Sequence, residues 1–143
     1  MGSVSVDQIM VTPLRRVHAA GGDVLHAMRL DDLGFMGFGE AYFSQIELGV
    51  VKAWKRHLRM TMNLVVPVGC VRFVFLAEGS STLRKEVLSE TRYARITVPP
   101  GIWFGFQGLL VRQSVVLNLS NIPHDPQEVE RLPVSEFEYK WKE

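Results

Sequence analysis

A chain of 143 residues with a formal net charge of +1 and 22% charged residues amounts to one domain, and it carries no polybasic field with which to hold nucleic acid. Its one cysteine, Cys70, excludes an intrachain disulfide and fits a reducing cytoplasm. No apolar run approaches the ~20 residues a membrane helix needs, and the N-terminus lacks a charged-then-apolar signal pattern. The expectation is a soluble cytoplasmic protein with neither nucleic acid nor membrane as partner.

In chain order, residues 9–17 read as an extended run broken by Pro13, which forbids a central strand. Gly21-Gly22 breaks the chain, and residues 23–30 alternate like a strand at Val24, His26, Met28 and Leu30. Gly34, Gly37 and Gly39 loosen the next stretch. Glu40 to Leu48 is again strand-like, ending at Gly49. The stretch Val51 to Phe75 organises the rest: a cationic strand, VKAWKRH, leads into two apolar runs parted by Gly69, and Val71, Phe73 and Phe75 alternate against Arg72 and Val74. Ala77 to Arg84 reads as a loop and Ser89 to Thr91 as a turn. Tyr93 to Val98 is a strand, Pro99-Pro100-Gly101 a rigid turn, and Ser114 to Leu119 a β-branched strand. Many short strands and no convincing amphipathic helix predict an all-β, antiparallel sandwich or barrel. Residues 1–38 are expected to supply N-terminal strands or an arm, residues 39–128 the barrel, and residues 129–143 a tail docked through Leu132, Phe137, Tyr139 and Trp141.

Two motifs carry a family resemblance. Gly49, Lys55-Arg56-His57 and Gly69 resemble the first motif of the cupin superfamily, and Pro99-Pro100-Gly101-Ile102-Trp103-Phe104 the second. More narrowly, GEAYFSQI, VKAWKRH, LSETRYARITVPPGIWFGF and NIPHDPQEVERL are similar to segments of the dTDP-4-dehydrorhamnose 3,5-epimerases, from about Gly39 onward. The resemblance implies a single-domain cupin-like jelly roll, a homodimer, no cofactor, and a nucleotide-linked sugar as the partner. It also implies chemistry: proton abstraction beside the C4 ketone of a 4-keto-deoxysugar nucleotide by a histidine, with a lysine steadying the enolate and a tyrosine on the other face. Here the family's histidine position holds Lys55, its lysine position Asn63, and its tyrosine position falls near Asn121 or Ile122. The metal-cupin ligand positions hold Lys55, His57, Thr61 or Met62, and Phe104, so no metal is expected.

A different catalytic set is therefore expected. Strand alternation places Ala53, Lys55 and His57 on one face. A buried lysine serves as a base, or as a cation beside an enolate while His57 moves the proton. Asn63 would orient a substrate oxygen. Tyr42, Trp54 and Trp103 would stack on sugar or base, and Lys52, Arg59 or Arg72 would hold phosphate. His124 and Asp125 form an alternative proton-transfer pair, although their place between Pro123 and Pro126 suits a rigid turn. A second function class stays open: a silent carbohydrate- or nucleotide-sugar-binding cupin module, with Phe104, Met60 and Met62 filling its interior.

Overall fold

The computed structural model describes residues 4–142. Two five-stranded antiparallel sheets face each other as a jelly roll. One runs β1(Met10–Pro13), β9(Ala94–Val98), β6(Met62–Val68), β11(Gln113–Ser120), β4(Glu40–Glu47). The other runs β12(Val129–Arg131), β5(Val51–His57), β10(Ile102–Leu109), β7(Cys70–Ala77), β8(Leu83–Ser89). A two-stranded hairpin, β2(Arg16–Val17) and β3(Val24–Leu25), stands apart from both.

The core between the sheets takes alternate residues of each strand: Met62, Leu64 and Val66 from one wall face Val71, Phe73, Phe75 and Phe104 from the other. The near-continuous apolar run of β7 has a further cause, because this strand is buried on both faces. Val74 and Leu76 point outward into a second cluster with Trp54, Trp103 and Trp141, closed by Leu132, Phe137 and Tyr139 of the C-terminal segment. Trp54 donates its indole N–H to the Val134 carbonyl at 3.1 Å, which fastens that segment to β5.

Three segments differ from the sequence expectation. The strand expected over residues 23–30 shrinks to Val24–Leu25, and the chain beyond it lies irregularly across the first sheet. Arg95, fully buried on β9, holds it there by donating to the Ala27 and Leu33 carbonyls. Leu83 and Arg84, placed at the end of a loop, and the residues after them form instead an edge strand, β8, whose charged residues suit an exposed sheet margin. The sheets also take in β1, one of the expected N-terminal strands, and β12, so the segment assigned to a docked tail adds a strand as well.

Candidate active site

The site is built on β5. Across β10 the register runs Phe106 to Lys52, Gly105 to Ala53, Phe104 to Lys55 and Trp103 to Arg56, so Trp54 is an extra residue that β10 does not match. This bulge lets Lys52 and Lys55, three apart, share the inner face with Phe106 and Phe104. Ala53 is turned the other way: it packs with the outer cluster beside Gly105, where a side chain would come within 2.5 Å of the Ala53 Cβ. The plain alternation that put Ala53 beside Lys55 and His57 is therefore broken at Trp54. Lys55 and His57 do share the inner face, as strand geometry requires.

The barrel mouth holds a cavity of about 460 Å³. Its apolar floor is Met62, Leu64, Phe73, Phe104, Phe106 and Val116. Among the described residues three cations line it, Lys52, Lys55 and Arg131, and no carboxylate does. Arg131 is brought in by β12, which pairs it with Lys55. Across the cavity, on β4 of the other sheet, stand Tyr42 and Ser44; Asn118 donates its side-chain N–H to the Tyr42 hydroxyl oxygen at 3.0 Å.

Lys55 is half-buried, and among the described residues no hydrogen bond or ion pair reaches its amine. Burial, then the Arg131 charge, hold its pKa below the ordinary value; Glu128 pulls the other way, and the Lys52 charge adds the smallest lowering. Lys52, at the rim, donates to the Gln45 carbonyl at 2.7 Å.

His57 lies on the same wall beyond Phe104, its ring stacked on that phenyl with centroids 6.1 Å apart. It does not line the cavity. Its Nδ1 meets Glu128 Oε1 at 2.5 Å, both side chains being buried, and the other Glu128 oxygen accepts the Arg59 and Met60 amides at 3.1 and 3.2 Å. Burial lowers the His57 pKa despite Glu128. Burial also pushes the Glu128 carboxyl up, but the donors from His57, Arg59 and Met60 outweigh it and hold it below the usual range. The pair is thus a neutral imidazole donating from Nδ1 to a carboxylate, which leaves Nε2 buried with no partner.

The other expected binding residues lie elsewhere, because alternation turns them outward. Asn63, between inward Met62 and Leu64, sits on the outer face of the first sheet, donating to the Gly34 carbonyl and accepting from the Thr97 hydroxyl. Arg72 reaches Gln107 and the Trp141 carbonyl outside the second sheet. Trp54 adjoins the cavity, but its indole belongs to the outer cluster, as does Trp103, over which Arg56 stacks at 4.7 Å. Arg59 is exposed and pairs with Asp125 at 2.8 Å. Asp125 caps the turn 126–128 by accepting the Gln127 amide, while neighbouring His124 is exposed, so this pair is a turn outside the cavity. Of the named set, Lys55, Lys52 and Tyr42 meet at one cavity. Glu128, Arg131 and Asn118 carry no signal in the sequence that marks them for the site. Among the described residues no three His, Cys, Asp or Glu side chains gather as a metal site.

No protein-family model matches the chain, and no curated protein does. Solved structures do. A dTDP sugar isomerase from Desulfovibrio desulfuricans G20 is 38% identical over 95% of this chain and 92% of that one, with a TM-score of 0.89. A dTDP-6-deoxy-D-glucose-3,5-epimerase from Legionella pneumophila Philadelphia 1, in complex with dTDP-4-keto-L-rhamnose, is 16% identical over 92% of this chain and 76% of that one, TM-score 0.78. A sugar 3,4-ketoisomerase from Thermoanaerobacterium thermosaccharolyticum, in complex with TDP, is 12% identical over 90% of both chains, TM-score 0.76. The last two likenesses are of fold.

Proposed function

The chain belongs to the cupin-superfamily group of dTDP-sugar isomerases and 3,5-epimerases, and from that premise we propose that it isomerises or epimerises a 4-keto-deoxysugar linked to dTDP by moving a proton beside the ketone. One observation carries this: an open cavity lined, among the described residues, by three cations and no carboxylate, with a half-buried amine on one wall and a phenol on the other. Lys52 and Arg131 at the rim suit a diphosphate, and the aromatic floor suits the apolar face of a deoxysugar. Lys55 acts at the carbonyl. Tyr42 moves the adjacent proton from the opposite side. His57, its Nδ1 proton fixed by Glu128, lies behind Phe104 outside the cavity and carries no proton-transfer step. No cofactor is needed, because the ketone itself acidifies the neighbouring C–H.

The silent-module alternative requires a filled interior. Phe104, Met60 and Met62 are indeed buried there, but about 460 Å³ stays open beside Lys55, which favours the enzyme. We further place the protein in the cytoplasm, in keeping with its buried unpaired Cys70, and as a homodimer. Leu30, Leu33, Met36, Phe38 and Phe43 are each more than 60% exposed on the outer side of the first sheet, a face a second copy would cover. Sedimentation at micromolar concentration checks the dimer.

The test of activity is incubation with TDP-4-keto-6-deoxyglucose in D2O, followed by NMR of the sugar. Deuterium should enter at carbon next to the ketone, and Lys55→Ala should abolish it. Absence of exchange with the parent protein would refute the function.

A further inference from the structure

We propose that Lys55 acts covalently, its Nζ adding to the C4 carbonyl of the sugar to form an imine through which the neighbouring proton becomes acidic. This rests on the function proposed above and deepens it. Three features of the cavity separate a nucleophilic amine from an ammonium that merely stands beside an enolate.

The first is that nothing holds a charge on Lys55. Among the described residues no carboxylate lines the cavity, and no hydrogen bond or ion pair reaches the amine. Glu128, the acid among the described residues that pulls on it, has both oxygens engaged by His57, Arg59 and Met60. Burial and the flanking Arg131 and Lys52 charges favour the neutral amine, the condition in which a lysine attacks carbonyl carbon. The second is access, since Lys55 lines an open cavity rather than a packed interior.

The third is Tyr42. Because Asn118 donates to the Tyr42 oxygen at 3.0 Å, the phenolic proton is free to point into the cavity, and the donated bond stabilises a phenolate once that proton leaves. The steps then balance. Amine adds to ketone to give a carbinolamine. Its hydroxyl departs as water with the Tyr42 proton, leaving an iminium on one wall and a phenolate on the other. The phenolate takes the proton from the carbon beside C4, giving a neutral enamine and a neutral phenol. Return of the proton and re-entry of one water restore ketone and amine. No oxidant or reductant is consumed. The cavity gains no net charge at any step, because the Tyr42 phenolate offsets the iminium across it for as long as the iminium lasts.

The experiment is reductive trapping. The protein is incubated with TDP-4-keto-6-deoxyglucose and sodium cyanoborohydride, and peptide mass mapping is then applied; a parallel sample in D2O reads proton exchange at the sugar. The expected result is an adduct on Lys55 whose added mass equals the sugar nucleotide less one oxygen atom. It should be absent from Lys55→Arg and form about 100-fold more slowly in Tyr42→Phe. Deuterium exchange without an adduct overturns the covalent step and leaves the proposed function standing. An adduct that persists in Lys55→Arg also overturns it. An adduct on Lys55 without exchange supports the imine while removing the proposed activity. Neither adduct nor exchange removes both.

Discussion

Replacing Glu128 tests the buried pair that closes the inner end of β5. In Glu128→Ala, three donors lose their acceptor: His57 Nδ1 at 2.5 Å, the Arg59 amide at 3.1 Å and the Met60 amide at 3.2 Å. Arg59 is exposed, so water replaces the carboxylate there. His57 and Met60 are 4% and 1% exposed, so their donors are stranded. At about 1–3 kcal/mol for each unsatisfied buried group, the loss is about 2–6 kcal/mol, a large share of the roughly 5–15 kcal/mol that holds a domain folded. Glu128→Gln keeps an acceptor oxygen and the shape, and should lose about 1–2 kcal/mol. The pH dependence has a definite sign. Both members of the pair are held below their ordinary values of 6.5 for His57 and 4.5 for Glu128. Between folded and unfolded values the unfolded chain binds more protons, so stability falls on acidification. The His57 contribution is lost as pH falls below about 6.5, and the Glu128 contribution as it falls further, below about 4.5. Urea unfolding followed by tryptophan fluorescence at pH 7.5, 5.5 and 4 reads all of this, and Glu128→Gln should flatten the most acidic limb. A loss below about 1 kcal/mol in Glu128→Ala would refute the reasoning, because that is the ordinary cost of an undistinguished substitution.

Gly105→Ala would place a methyl 2.5 Å from Ala53 Cβ and 3.2 Å from Trp141; a loss of about 1–3 kcal/mol in urea unfolding is expected, as for other overpacked sites. Trp141→Ala should cost about 3–5 kcal/mol by opening the outer cluster it shares with Trp54 and Trp103, read by thermal melting with the inner cavity's dTDP binding retained. Lys52→Ala and Arg131→Ala should each weaken dTDP binding about tenfold by calorimetry and flatten its salt dependence, since each removes one cation from the rim. Lys55→Met should be more stable than the parent at pH 7. The folded pKa of Lys55 lies below its ordinary value, so the parent carries a penalty that fades as pH rises from the folded value toward the ordinary one, and the gap should close by about pH 10.

The two-residue period of a strand made part of the site legible. Lys55 and His57 share a wall because they are two apart, and the apolar alternation of Val71, Phe73 and Phe75 placed the core. The same period, not weighed in the expectation of Arg72 and Asn63 at the site, accounts for their absence from it: each is flanked by inward residues and turned outward. What the period could not show was the bulge. A small pair, Ala53 facing Gly105, beside a bulky Trp54 is its only trace, and the two sides of that pair lie on strands far apart in the sequence. Glu128 is illegible for a related reason: its partner is 71 residues away, and an acid between Gln127 and Val129 gives no local sign of burial. Arg131 is illegible because β12 is only three residues long, too short to show alternation.

The acids around the mouth explain why the cavity is so uniformly cationic. Glu128 is saturated by its three donors, Asp125 is held by Arg59, and Glu78 and Glu130 are both drawn to Arg56 outside the barrel. Each of these carboxylates near β5 is thus committed to a structural partner, which leaves Lys52, Lys55 and Arg131 unbalanced at the cavity. A diphosphate entering there would cancel the Lys52 and Arg131 charges and, by that effect alone, raise the Lys55 pKa. The same event lays a sugar over the amine and removes its remaining water. Burial is the largest of the causes lowering this pKa, so closing the cavity strengthens the dominant cause as it weakens the lesser ones. Bound anion and enclosing sugar thus act on the amine in opposite directions. The proposed role of Lys55 requires the second effect to prevail.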